Sequence, residues 1–467
     1  MWFYAGQPAI IVNPHGIDAG AAHALWLTAS ETQAAGDALS VFRIDNASMS
    51  SALTDRWLPR LTSPLVVVLC IALLSSTALT NICMLLLVLL SFWAWSHYQW
   101  PDGEWALAKP LFILIALFCL WDLGANLLCG NSLIDSLQAL RRVRKFFFVL
   151  LLWPLFASPR VARHALLSLG ATVCLLAAAN LVWTLVLHHP GMMTSFMPNM
   201  YGQILVGMVL LLAHGAIEGR YRPWLLSALA LLLVASLFWV SNRRTGYVLL
   251  AVGSLCLFFL LWQRQSGRRQ LILLISGIVL LSLLLLLASL SPKVQVRVAL
   301  IFSEYQQFFL MSPQQRSQLE TSVGLRLQYY VSSWSIVQDH FWTGTGSLNF
   351  KQLFWEVNRD MGATNPQVFA PNPHNEYLYM WTTKGLIGLL LYLGIFVQAC
   401  RLAARRSEAW QRHGLWIFVC LFLTSILFNS MSIDMVEGHF MMLVLLIFLA
   451  PARIWSAADN VKDDASC

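Results

Sequence analysis

Apolar runs bounded by charge, Pro or Gly recur from residue 64 almost to the end of the chain. They fall near 64–79, 81–97, 110–129, 146–157, 165–187, 203–217, 224–240, 247–262, 271–290, 384–400, 415–431 and 440–455, 12 in all. Backbone amides in lipid must be satisfied inside their own segment, so runs of this kind predict membrane helices. A full span takes roughly 20 residues; the first pair and 146–157 fall short of that. The expected fold class is all-α, a polytopic membrane protein of about 12 helices with one large loop, 291–383, between the ninth and tenth.

The first 60 residues break the pattern. They are mixed in polarity and weakly periodic, and no basic stretch leads into an apolar run, so they do not read as a signal peptide. Met49 opens MSSALTDRWLPRL, which reads as a natural start with basic residues before the first span. Residues before Met49 are therefore expected to be dispensable or a mis-assigned start. The predicted division is an extension over 1–60, a membrane domain over 61–455 and a tail over 456–467.

Composition makes the bilayer reading firmer. The chain has 467 residues, 58% hydrophobic and 11% charged, whereas soluble domains carry about 25% charged residues. Mean hydropathy is +0.65. The net charge of +8 then reports orientation rather than a nucleic-acid partner. Arg56 and Arg60, Arg160 and Arg163, Arg220 and Arg222, Arg264 with Arg268 and Arg269, and Arg401 with Arg405, Arg406 and Arg412 all fall on one side of a 12-span chain. Positive-inside bias makes that side the cytoplasm, with both termini there. The 291–383 loop is then outside, in the periplasm of a Gram-negative cell. The nine Cys are scattered, and none lies in this loop. No disulfide framework or metal-ligand spacing is expected, nor a phosphate-binding Gly-rich loop. No metal or cofactor is predicted.

Two basic groups fall on the outer side against that bias. One is Arg141, Arg142, Arg144 and Lys145; the other is Arg243 and Arg244 in SNRRTG. An anionic ligand at the outer leaflet would favour them, because a guanidinium is always charged and binds phosphate oxygens in a fork. The alternative for the first cluster is a topology shifted by one span. The outer loop adds apolar and aromatic residues at helical spacing from Leu325 to Val337, with Arg326 expected on the first turn, then a Gly344-Thr345-Gly346 turn. That helix would lie on the membrane face or pack on the loop's own core. Asp122 and Asn126 share a face of the third span, with a functional and a structural role both open. A small acidic turn, Asp434, Glu437 and His439, also falls outside.

The loop ends in NPHNEYLYMWTTKGLIG. His374 and Asn375 stand at the membrane surface, and Gly385 and Gly388 open the apolar helix. A His there would touch water and a lipid-borne substrate together; the bland alternative is a His that caps a helix. His-Asn, nine residues, then Gly-x-x-Gly resembles the signature of bacterial O-antigen ligases and polymerases. Arg244-Thr245-Gly246 at the head of a span, and Gly324-Leu325-Arg326 with Gly344-Thr345-Gly346, add to the resemblance, which covers roughly 60–455. Arg243 departs from it, since many relatives carry a small polar residue there.

The resemblance implies an inner-membrane enzyme of GT-C type. It would move O-antigen glycan from undecaprenyl diphosphate to lipid A–core oligosaccharide at the periplasmic face, without a metal and with inversion. The expected partners are those two substrates and membrane lipids. Breaking a bond to a diphosphate builds negative charge on the leaving group, which fixed cations stabilise. Arg244, Arg243 and Arg326 are expected to clamp the diphosphate, with Arg142 and Arg144 behind them. His374, with an ordinary pKa near 6.5, suits a general base or a residue that only positions substrate. Polymerase and protein O-oligosaccharyltransferase are the nearest rivals. A 12-span transporter or flippase is the rival of another class, but no internal repeat supports it.

Overall fold

The computed structural model describes residues 57–189, 198–218, 222–241, 244–272, 274–275, 292–316, 321–363, 372–406 and 408–451. The extension before Met49, Arg243, the side chain of Arg244 and most of the expected ninth span lie outside them. The chain divides into two units after Leu58, and the second, Pro59–Cys467, carries the fold.

The described residues are helical, with no strand among them. In chain order they form α1 (Trp57–Leu73), α2 (Thr77–His97), α3 (Glu104–Leu128), α4 (Leu133–Ala139), α5 (Arg144–Phe156), α6 (Pro159–Leu181), α7 (Pro198–Ile217), α8 (Pro223–Ser236) and α9 (Arg244–Arg264). The loop contributes α10 (Pro292–Leu310), α11 (Pro313–Arg316), α12 (Ser322–Asp339) and α13 (Gly346–Asp360). The chain closes with α14 (Glu376–Ala404), α15 (Ala409–Ser425) and α16 (Met435–Leu449).

Helices stand at 11 of the 12 expected positions. Six helices are long and apolar enough to cross a membrane, and α1, α7 and α16 are shorter apolar helices. The break between the first two lies at residues 74–76 rather than at 80. Ser76 explains it: its hydroxyl accepts from the Leu79 amide at 3.3 Å and caps α2. α3 shows the membrane pattern. Its Ala108, Leu111, Ile115, Phe118, Asp122 and Ala125 are buried at three- and four-residue spacing. Leu117 and Leu120 point outward, as a lipid-facing side requires.

α3 packs along α14, and the two run in opposite directions. Between them, Phe118, Phe146, Tyr392 and Phe396 make edge-on and tilted ring contacts. In the loop, α12 and α13 fold over the start of α14. Their shared core is Tyr329, Ile336, Phe350, Phe354 and Tyr379. The inner face of α12 thus packs on the loop's own core. The helix begins at Ser322, with Thr321 accepting from the Gly324 amide at 3.1 Å, so Arg326 sits on the second turn rather than the first.

Candidate active site

The frame of the site is a backbone junction. Gly385 breaks α14 with φ 66° and ψ −176°. The 341–346 turn lies against that break: Phe341 O accepts from Leu386 N at 2.8 Å, and Thr345 N donates to Thr382 O at 2.9 Å. A Cβ on Gly344 would come 2.5 Å from the backbone nitrogens of Lys384 and Gly385, and one on Gly385 would meet the Trp342 carbonyl. Both glycines also hold positive φ, which other residues adopt at a cost. The two glycine motifs are therefore one contact. Gly388 serves another approach, with Trp121 against it.

Asp122 and Asn126 lock the junction from α3. Asp122 is buried and pairs with buried Lys384. The Ser347 hydroxyl donates to Asp122 Oδ1 at 2.8 Å and accepts from Lys384 Nζ at 2.9 Å. Asn126 Oδ1 accepts from the Leu348 amide at 3.2 Å. This is the structural alternative for that pair of residues.

His374 stands on this frame, just before the first turn of α14. Asn375 caps the helix, with Oδ1 accepting from Leu378 N at 3.1 Å. His374 has φ 50°, in the left-handed region, and its amide donates to Asn372 Oδ1 at 2.9 Å. The imidazole lies 5.8 Å from the Tyr329 ring, centre to centre, and the Asn429 side chain favours its charged form. Ser430 donates to Asn372 at 2.7 Å, so the 429–434 turn is tied to the residue that accepts from the His374 amide. Burial lowers the His374 pKa, the Arg326 charge lowers it further, and Asn429 opposes them. Both burial and the Arg326 charge thus disfavour the imidazolium.

The predicted residues fall into distinct groups. His374, Asn375 and Arg326 come together, since His374 and Asn375 are neighbours and the Arg326 charge acts on His374 and on Tyr330. Arg142 Nη1 donates to Ser347 O at 2.5 Å and to Tyr379 Oη at 3.0 Å, so it also braces the loop core. Arg144 keeps a buried Nε without a hydrogen-bond partner among the described residues. Gly246 at the head of α9 has the backbone of Gly202 beside it. The Asp434 carboxyl is raised to about 6 by burial, with the Lys145 charge opposing. Sequence reasoning missed Lys384 and Glu376. Lys384 looked like a span boundary, and Glu376 is hidden inside the HNE run.

At the opposite end of α14, Arg406 forms two 2.7 Å bonds with Glu104. His214, Glu218 and His413 also gather there, but the Arg264 guanidinium is already among them. It donates to Glu218 and, at 3.0 Å, to His413 Nδ1.

Residues 228–393 match the family model described as O-antigen ligase. The match runs from α8 to the middle of α14 and so contains the glycine junction, His374 and Arg326. A search of curated proteins returns no match. This match, over part of the chain, supports an assignment to the O-antigen ligase family, whose members are lipid-linked glycan transferases.

Proposed function

We propose that the protein is an O-antigen ligase. It moves O-antigen polysaccharide from undecaprenyl diphosphate to a sugar of lipid A–core oligosaccharide. In this reading the chain is a GT-C type enzyme of the inner membrane with 12 spans, both termini cytoplasmic and the 291–383 loop in the periplasm. The observation that supports the reading is His374 at the head of a membrane helix, its pKa lowered by burial and by the Arg326 charge. In this reading a proton acceptor stands near a cation that has no carboxylate partner among the described residues.

The reaction is one displacement. The acceptor hydroxyl attacks the anomeric carbon as the bond from that carbon to the diphosphate oxygen breaks. The bonding electrons leave with undecaprenyl diphosphate, and the hydroxyl proton passes to His374. A single attack from the far side inverts the anomeric centre. Arg326, Arg243 and Arg244, with Arg142 and Arg144 behind them, stabilise charge on the departing diphosphate without a metal ion. Asn375, Gly385 and Gly388 hold the geometry.

The test is lipopolysaccharide analysis of a deletion strain complemented with wild type, His374→Ala or Arg244→Ala, with lipid-linked glycan quantified beside it. The expected result is core without O antigen, accumulated long lipid-linked chains, and no rescue by either variant at normal protein level. Single repeat units still joined to core would make the protein a polymerase instead. Lipid-linked glycan trapped on the cytoplasmic face would make it a transporter.

A further inference from the structure

Beneath His374 lies a buried polar network that the proposed reaction does not use. Glu376 is 0% exposed. Its Oε2 accepts from the Ser432 amide at 3.0 Å, and its Oε1 accepts from the Ser432 hydroxyl and, at 2.8 Å, from Tyr392. From the other side, Lys145 Nζ donates to Ser432 O at 3.0 Å and to Ile433 O at 2.5 Å. One residue, Ser432, thus has its amide and hydroxyl held by the Glu376 carboxyl and its carbonyl held by the Lys145 amine. A third anchor ties the same segment down, because Ile426 O accepts from Glu376 N at 2.8 Å.

Burying a carboxylate and an ammonium costs several kcal/mol each unless they are well bonded. A buried apolar pair would hold two helices together at less cost. What the polar pair supplies is direction, since hydrogen bonds fix a peptide plane where apolar contact does not. The plane fixed here is two residues from Ser430, which bonds the Asn372 side chain that also accepts from the His374 amide, and three from Asn429.

We propose that Glu376 and Lys145 are positioning residues for His374: they clamp Ser432 and so hold the 429–434 turn, whose Ser430 fixes Asn372, the acceptor of the His374 amide. The assignment rests on reading His374 as the proton acceptor. Neither residue touches substrate. The titratable and charged groups on the elements packed around the imidazole are Arg326, Tyr329 and Tyr330 on α12, Asp434 on the turn, and Glu376 and Tyr377 on α14. Of the groups acting on the ring, Asn429 favours its protonated form, so freeing the turn moves the His374 pKa down.

The experiment uses the full chain in lipid nanodiscs. His374 is modified with diethyl pyrocarbonate, which attacks neutral imidazole, across about pH 5 to 8, where imidazoles titrate, and peptide mass spectrometry follows the rate. Asn429→Ala sets the size of the shift. Glu376→Gln and Ser432→Ala are expected to match it, with the apparent pKa down by roughly half a unit and the rate on the acid side of that pKa up about threefold. In glycan transfer both lose roughly tenfold to a hundredfold in kcat, the scale of a misplaced catalytic group, with acceptor KM little changed. Ser432→Ala retains the Glu376 bonds to the Ser432 amide and Tyr392, so it reports even if Glu376→Gln fails to fold. Wild-type His374 reactivity in folded Ser432→Ala, alongside a shifted Asn429→Ala, overturns the clamp and leaves the network a purely structural one. If wild type transfers no lipid-linked glycan, the ligase reading falls, while His374 reactivity still decides whether the clamp exists.

Discussion

The two ends of α14 treat positive charge differently. At the Arg406 end, two cations are matched by carboxylates: Arg406 with Glu104, and Arg264 with Glu218. At the His374 end one pair is matched, Lys384 with Asp122. Arg142, Arg144 and Arg326 form no ion pair with a carboxylate among the described residues; Arg142 is bonded to a carbonyl and a phenol. Matched charge holds helices in register. Charge held by neutral acceptors stays available, which is what an anionic ligand needs. In the proposed reading the contrast separates residues that build the frame from those that would serve chemistry, a division that residue type alone does not reveal.

The contrast is most sharply broken at its one exception. Lys384→Met leaves Asp122 buried and uncompensated and is expected to cost about 3–5 kcal/mol, read as a lower midpoint of unfolding in detergent. Adding Asp122→Leu should recover most of it. Next in size, Arg326→Ala should slow glycan transfer by about a hundredfold to a thousandfold while the unfolding midpoint holds. The same change tests the pH dependence. The wild-type acid limb of kcat/KM should lie below the ordinary histidine value, because burial and the Arg326 charge both disfavour the imidazolium. Removing the cation favours imidazolium, so the limb should move to higher pH by up to about one unit. The smallest effect belongs to the opposite end: Glu218→Gln should cost less than about 1 kcal/mol, as a partly exposed pair does, and leave transfer unchanged.

Much of the scaffold was legible in the pattern of apolar runs, because a bilayer leaves the backbone few options. Its errors were local. The α1–α2 break is set by Ser76, a cap that hydropathy does not see. The helix carrying His374 begins at Glu376, before the apolar run, because TTK is polar in sequence yet buried in place. The site was legible as a set of motifs but not as a contact map. GTG and GxxG read as two signals, and their interlock across Gly344 and Gly385 depends on three-dimensional approach. Lys384 and Asp122 are 262 residues apart, so neither marks the other in the sequence. Glu376 shows no periodic or spacing signal, and its function lies in what it bonds, Ser432, 56 residues on.

The break at Gly385 bears on how the protein is made. A membrane helix ordinarily satisfies its own amides and can enter lipid alone. Here Leu386 and Ile387 give their amides to Phe341 and Trp342, at 2.8 and 3.5 Å. Before the turn docks, those amides have no such partner. Insertion of this segment is therefore expected to depend on docking of the 341–346 turn that precedes it in the chain. The helix and its loop mature as one unit, and a lesion in residues 341–346 should appear as a failure of membrane integration before it appears as lost catalysis.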